Sequence, residues 1–246
     1  MKKIMILWFV VIMIISVYSE KMGITEMLDK IDHNQTPDSM TYHGEMIIHR
    51  GSRESVKKYT IQSRGSEKAY IEFTYPPRDA GTKYLRMDDN LWMYLPGAQR
   101  TVKISGHMLR QSMMGSDFSY DDETDNAKLK NQYNGDFIEY PDDTGEIVIM
   151  LTANEGRDTT YYQQKLWVDR DKMVIRKAEM YGRSGKLLKE MRCEDFRDLN
   201  GRFYPHKIIM EDKLKNNSFT EVIVKNVRLD VSIPDRVFSL RNLERK

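Results

Sequence analysis

Reactive side chains are present in this sequence, but few stand at spacings that chemistry can use. Ser55-Val56-Lys57-Lys58 has the Ser-x-x-Lys spacing of an amine-activated serine. That arrangement needs a helical turn to bring the lysine back over the hydroxyl, and this segment alternates like a strand. Gly182-Arg183-Ser184-Gly185 lacks the spacing of a nucleophile elbow and reads as a hairpin turn. His43 and His49 could share a strand face, but a zinc site needs three or four ligands. Asp121, Glu123 and Asp125 begin like a calcium loop, yet Asn126 stands where glycine is needed and Gln132 where a bidentate glutamate is needed. An acidic cap is the reading that remains. Cys193 is the lone cysteine, so no internal disulfide forms, and its setting in KLLKEMRCEDF is that of a packing residue. These patterns point away from an enzyme and away from any metal or cofactor.

What stays unexplained is SMMGSDFSYDD, residues 112 to 122, a greasy and flexible stretch with no nucleophile–base pair. Its purpose has to come from the chain around it. The sequence opens with Lys2 and Lys3, an unbroken apolar run from Ile4 to Ile15, and Val17 and Ser19 at the −3 and −1 positions before Glu20. This is the pattern of a secretory signal peptide over 1–19, since the run falls short of the ~20 apolar residues of a membrane span. No cysteine follows it, which removes lipid attachment at the new N-terminus. Cleavage takes Lys2 and Lys3 and leaves basic and acidic side chains balanced at 37 each, giving no electrostatic case for nucleic acid. A chain of this length, 40% hydrophobic, can bury the core of one large domain, placed at 20–246.

Ile24, Met27, Leu28 and Ile31 recur at i, i+3, i+4 and i+7, one stripe of a short amphipathic helix. From Met40 onward the pattern turns to β: SVKKYTIQS, KAYIEFTY, NLWMYL, EIVIML, TEVIVKNV and their like, separated by Asp88-Asp89-Asn90, Asn154 to Gly156 and Asn200-Gly201. Roughly a dozen strands with tight turns imply one large antiparallel sheet, which must curl or close. Alternation in KAYIEFTY puts Ala69, Ile71, Phe73 and Tyr75 on one greasy face. Gly106 to Glu123 reads as a helical insertion between strands, with Ser116-Asp117 able to cap a second short helix. Five consecutive large residues, Leu91 to Leu95, mean that neither face of their strand is purely solvent. That strand is either packed on both sides or lines a cavity for an apolar ligand.

Residues 76–122, PPRDAGTKYLRMDDNLWMYLPGAQRTVKISGHMLRQSMMGSDFSYDD, carry a Leu-Trp-Met-Tyr-Leu-Pro strand, a basic strand and a Met-Gly-Ser-Asp-Phe segment. This region resembles the signature of the LolA-like family of outer-membrane lipoprotein-sorting proteins, and the tail VRLDVSIPDRVFSL resembles the family's ending. The resemblance implies a mainly β fold with short helices: a single curved antiparallel sheet forming an incomplete β-barrel of about 11 strands, with helices plugging the concave face. It also implies a soluble periplasmic carrier, whose cargo is the acyl chains of a lipid or lipoprotein and whose partners are an inner-membrane exporter-type transporter and an outer-membrane acceptor. An envelope lipid hydrolase and an integral outer-membrane barrel are the alternatives.

On that reading the expected lipid-binding wall is Ile71, Phe73, Tyr75, Leu85, Trp92 and Tyr94. The cover is Met113, Met114 and Phe118, with Gly115 as its hinge. The leader carries its own test. Intact-mass measurement of protein exported by a double-membrane bacterium should place the N-terminus at or within a few residues of Glu20, with no acyl group attached.

Overall fold

The β-branched and aromatic runs pair as strands wherever turn formers let the chain reverse. In the computed structural model, which describes residues 22–124, 128–141, 145–157 and 159–245, helix α1 (Ile24–Gln35) is followed by β1 (Ser39–Arg50), β2 (Arg53–Arg64), β3 (Lys68–Tyr75), β4 (Lys83–Met87), β5 (Asn90–Leu95) and β6 (Arg100–Ile104). Two 3₁₀ turns, Gly106–Arg110 and Met113–Gly115, lead to helices α2 (Tyr120–Thr124) and α3 (Leu129–Gln132). Then come β7 (Tyr133–Glu139), β8 (Glu146–Ala153), β9 (Gln163–Asp169), β10 (Val174–Tyr181), β11 (Leu187–Asp198), β12 (Phe203–Asp212), β13 (Ser218–Leu229) and helix α4 (Leu240–Leu243). The signal peptide expected at 1–19 lies outside the described residues.

All of these strands form one curled antiparallel sheet of 13 strands in the order β6-β5-β4-β3-β2-β1-β13-β12-β11-β10-β9-β8-β7. Two meanders meet where β1 pairs with β13, Gly44 opposite Val224 and Ile48 opposite Thr220. The sheet is not closed, and β6 and β7 are its edges. That rules out the integral-barrel alternative, because a membrane-spanning sheet has to pair every edge. Asn200-Gly201 makes the two-residue turn its sequence demands, with φ of +59° and +85° and Leu199 and Arg202 exchanging backbone hydrogen bonds between β11 and β12.

The helix stripe behaves as its spacing requires: Met27, Leu28 and Ile31 are buried on the sheet. The polar residues interleaved with them tie the helix down. Asn34 donates to the carbonyls of Lys172 and Met173 at 2.9 and 3.0 Å and accepts from the Phe203 amide at 2.9 Å, linking the end of α1 to the β9–β10 turn and the start of β12. Asp32 accepts from the amides of Leu129 and Lys130 at 2.7 and 3.1 Å, so α1 supplies the missing N-terminal partners of α3. Burial pushes the Asp32 carboxyl above its ordinary value, and the two amides pull against it.

The opposite face has a second, smaller core of Tyr70, Leu85, Tyr94, Ile233, Phe238 and Leu243, where the C-terminal segment lies across β3–β5. Thr101 donates to Glu244 at 2.9 Å, and the Arg64 guanidinium binds Asp235 and lies 5.3 Å from the Phe238 ring centre. These three strands are therefore packed on both sides, which answers the run of large residues from Leu91 to Leu95.

Gly44 gives a direct test of the packing. A Cβ there would sit 2.2 Å from the ring of Tyr59, its cross-strand partner, which is 2% exposed and cannot move aside. Gly44→Val should lower unfolding free energy by about 1–3 kcal/mol through overpacking. Gly97→Ala, with nothing within 4 Å of the new atom, should change it by less than about 0.5 kcal/mol. Urea titration of both variants is the check.

Candidate functional site

The face beneath α1 is apolar from one half of the sheet to the other. Ile71, Phe73, Tyr84 and Leu91 of β3–β5, Met46 and Ile48 of β1, and Ile147, Ile149 and Leu151 of β8 belong to one buried cluster. An aromatic chain runs outward through it, Tyr59 to Phe73 at 5.3 Å, Phe73 to Tyr84 at 6.0 Å and Tyr84 to Tyr120 at 5.7 Å. The space is filled by its own side chains, with an opening at either flank. A cleft of ≈580 Å³ lies beside Tyr84, Met93, Met114 and Tyr120, and a smaller apolar pocket of ≈140 Å³ lies under the end of α1 beside Cys193, Phe203 and Ile208.

Because β6 and β7 are opposite edges, the chain joining them has to return across the sheet, and it does so over this face. Residues 105–124 form that strap, and polar groups hold it to both halves of the sheet. Asp117, fully buried, accepts from Ser218 at 2.8 Å and Thr220 at 2.7 Å, lies 3.4 Å from the Lys215 ammonium, and donates its own amide to Thr220 at 3.0 Å. Lys215 also donates to Ser112 at 2.8 Å and the Ser116 carbonyl at 2.7 Å. Farther along, Asp121 faces Arg86 of β4 at 3.6 Å and bonds Thr160. Its neighbour Asp122 pairs with Lys189 of β11 at 2.5 Å and accepts from Tyr161 at 2.6 Å. Burial first, and then the Asp122 carboxylate, push the Tyr161 hydroxyl well above the ordinary phenol range, so it stays a donor.

The comparisons bear on this arrangement. A family model described as that of an uncharacterized protein matches residues 65–245. The fold is similar to a DUF1329 family protein from Desulfovibrio piger, 25% identical, with TM-score 0.81 over 89% of this chain and 97% of that one. It is also similar to a LolA superfamily protein from Nitrosomonas europaea, 28% identical, with TM-score 0.75 over 88% of this chain and 97% of that one. A putative outer membrane lipoprotein-sorting protein domain from Vibrio parahaemolyticus, 20% identical, shares the fold with TM-score 0.78 over 90% of this chain and 98% of that one. The chain belongs to the family whose model matches it, and its fold is LolA-like. No curated protein matches it.

In this LolA-like chain the expected wall residues divide. Ile71 and Phe73, both 0% exposed, lie on the covered face, and Met113 and Phe118 of the strap are buried against it. Leu85, Trp92 and Tyr94 do not join them. Leu85 pairs with Tyr70 and Trp92 and faces the C-terminal segment with Tyr94, while Tyr84, Leu91 and Met93 take the covered side. Both faces of β4 and β5 are greasy, so alternation fixed the sets but not their sides. Tyr75 leaves the covered face too. The β2–β3 register shifts at Lys58/Tyr59, so Tyr75 pairs with Lys58, whose ammonium lies 5.7 Å from its ring centre, and stays 46% exposed.

The strap also differs from the helix expected there. Ser119, not Ser116-Asp117, caps α2. Its amide donates to Asp122 at 2.7 Å and its hydroxyl accepts the Asp122 amide at 3.2 Å, a capping box in which an aspartate holds the acidic position. Ser116 instead bonds the Met113 carbonyl at 2.7 Å inside the turn. Gly115 has the φ of +79° that suits glycine, and its carbonyl accepts from Arg50 at 2.6 Å.

Other candidates resolve locally. Ser55 is exposed on strand β2, and the glycines at 182 and 185 close a hairpin turn at 2.9 Å. His49 stacks on Phe219 at 4.3 Å. Among the described residues no group of three His, Cys, Asp or Glu could hold a metal. Burial pushes the Cys193 thiol up to about 12, leaving it a packing group near neutral pH. Asp125 falls outside the described residues. What sequence reasoning missed is the Arg86, Lys189 and Lys215 side of the strap's docking, because nothing local in β4, β11 or the β12–β13 turn marks those cations as partners of one distant segment.

Removing Asp117 should unfasten the strap. Asp117→Ala leaves the buried hydroxyls of Ser218 and Thr220 without their acceptor, while Lys215 keeps Asp212 at 3.4 Å, and should destabilise the fold by about 2–3 kcal/mol. Ser218→Ala, which removes one hydrogen bond, should cost about 1 kcal/mol. Urea unfolding, with hydrogen exchange at residues 112–122, measures both.

Proposed function

We propose that this protein is a periplasmic carrier that binds the acyl chains of a lipid or lipoprotein between its sheet and its strap and moves them toward the outer membrane. An inner-membrane transporter of exporter type is its proposed donor, and an outer-membrane acceptor receives the cargo. One observation carries the reading: an apolar face continuous across an unclosed sheet, spanned at its mouth by a single segment docked through hydrogen bonds and ion pairs. Acyl chains need an apolar wall shielded from water, and transfer without hydrolysis needs a cover that can be exchanged for ligand. Polar contacts suit such a cover, because water or a polar headgroup can replace them once it lifts.

Further support comes from the LolA superfamily neighbour at 28% identity. The described residues contain no helix long and apolar enough to cross a membrane, which fits a carrier working in the periplasm. Met113 and Met114 suit the cover because an unbranched thioether adapts to chains of different shape.

Protein purified without added detergent should yield, on extraction and mass spectrometry, bound acyl lipid at about one molecule per chain. Loss of the reading would be an empty protein that also fails to acquire labelled lipid from vesicles. A second arm tests the gate. Met114 Sδ and the Tyr84 hydroxyl meet tip to tip at 3.2 Å, and such long side chains meeting end to end hold their backbones beyond disulfide reach. With Cys193→Ser in place, Met114→Cys and Tyr84→Cys joined by a bismaleimide should slow lipid exchange at least tenfold relative to the unlinked variant.

A further inference from the structure

We infer that one end of the sheet, built from the β1–β2 and β12–β13 turns, docks on the surface of an anionic lipid bilayer. The inference goes beyond carriage, since a carrier can exchange its cargo through protein partners alone. Strand pairing brings the two turns together. Arg50 stands opposite Ser218, and the Gly51 amide donates to the Asn217 carbonyl at 2.8 Å. The strap reaches the same end, where Arg50 donates to the Gly115 carbonyl at 2.6 Å and Lys215 to the Ser116 carbonyl at 2.7 Å.

The β12–β13 turn presents Leu214 between Lys213 and Lys215. At 57% it is the most exposed large hydrophobic side chain among the described residues. The turn is held in place from both sides. Asp212 accepts from the Leu214 amide through its side chain and from the Lys215 amide through its carbonyl, each at 3.0 Å, and the Lys213 amide donates to the Leu188 carbonyl at 2.8 Å. Phe219, 39% exposed, follows on β13 and stacks on His49. Apolar surface held out toward water in this way gains free energy only when something apolar meets it.

The β1–β2 turn supplies the charge. Arg50 and Arg53, both exposed, stand directly opposite each other across it, and like charges in opposed positions destabilise a hairpin. The carboxylates close by are engaged elsewhere: Asp212 lies 3.4 Å from Lys215, Glu221 takes Lys207 at 3.0 Å, and Glu54 lies 3.7 Å from His49. An anionic bilayer supplies what both turns lack, phosphates for the two arginines and an acyl boundary for the leucine. The other end of the sheet has the opposite character, since the β2–β3 and β4–β5 turns carry Glu67, Asp88 and Asp89 and no cation.

The docking end and the gate share a residue. Arg50 holds the carbonyl of Gly115, whose φ is +79°. A headgroup phosphate that takes this guanidinium loosens the strap beside the cleft lined by Met114 and Tyr84.

The test floats the full chain with vesicles of phosphatidylcholine alone or with about one-third phosphatidylglycerol. Wild type should bind the anionic vesicles about tenfold more tightly, and added salt should weaken that binding. Arg53→Gln should lower the affinity about fivefold while the unfolding temperature holds or rises, because the like-charge pair is relieved. Leu214→Ser should lower it to a similar degree, and Arg228→Gln, at the far end of β13, should leave it unchanged. With Cys193→Ser in place, a polarity-sensitive fluorophore on Leu214→Cys should shift to the blue on anionic vesicles and not on neutral ones. Equal binding to the two vesicles, or an affinity unchanged in both Arg53→Gln and Leu214→Ser, overturns the inference. Binding to neither vesicle also overturns it and leaves this end to a protein partner. Labelled lipid acquired by the protein is measured separately, so a failure to dock is distinguishable from a failure to carry.

Discussion

The sheet does not close, and its two edges are consecutive in the chain. Strand β6 ends one meander and β7 begins the other, so the chain between them has to return across the sheet, and it does so over the face that α1 covers. From that constraint follow the position of the strap, the burial of Phe118 and Met113 against the sheet, and the need for polar anchors on both halves. The crossing segment is too short and irregular to stabilise itself, since its pieces are two 3₁₀ turns and a helix of five residues. Its order comes from what it docks against.

The two faces of the sheet do different physical work. Beneath the C-terminal segment, Leu85, Tyr94, Phe238 and Leu243 make a second core that turns β3–β5 into a wall packed on both sides. On the covered face the contacts grade from apolar at α1, which is locked by Asn34 and Asp32, to a mixture of apolar and ionic at the strap. Apolar burial is hard to exchange for anything but another apolar surface. Charge-assisted hydrogen bonds are readily exchanged for those of another anion. This contrast separates the part of the cover that holds the fold from the part that can yield.

Much of the architecture was legible because it rests on local rules. The period of two in KAYIEFTY and TEVIVKNV, the Asn200-Gly201 turn with both φ angles positive, and the stripe through Met27, Leu28 and Ile31 each follow from backbone stereochemistry and burial within one element. The family likeness of residues 76–122 was legible too. The sides of Leu85, Trp92 and Tyr94 were not, because alternation gives two sets of residues and says nothing about which layer each set meets. In β4 and β5 both sets are apolar, and only the docking of residues 233–243 shows which is which.

By itself, then, the sequence determined a large antiparallel sheet, one amphipathic helix laid on it, and a methionine-rich insertion between strands. Only the tertiary structure decided that Tyr75 turns outward, since a register shift between paired strands depends on both strands at once. Only it brought Arg86, Lys189 and Lys215 to one strap. Those cations lie on strands or turns separated by up to 129 positions, and each reads as an ordinary polar residue of its own strand or turn. Their common role in docking exists only where the curled sheet brings its two halves to the carboxylates of one segment.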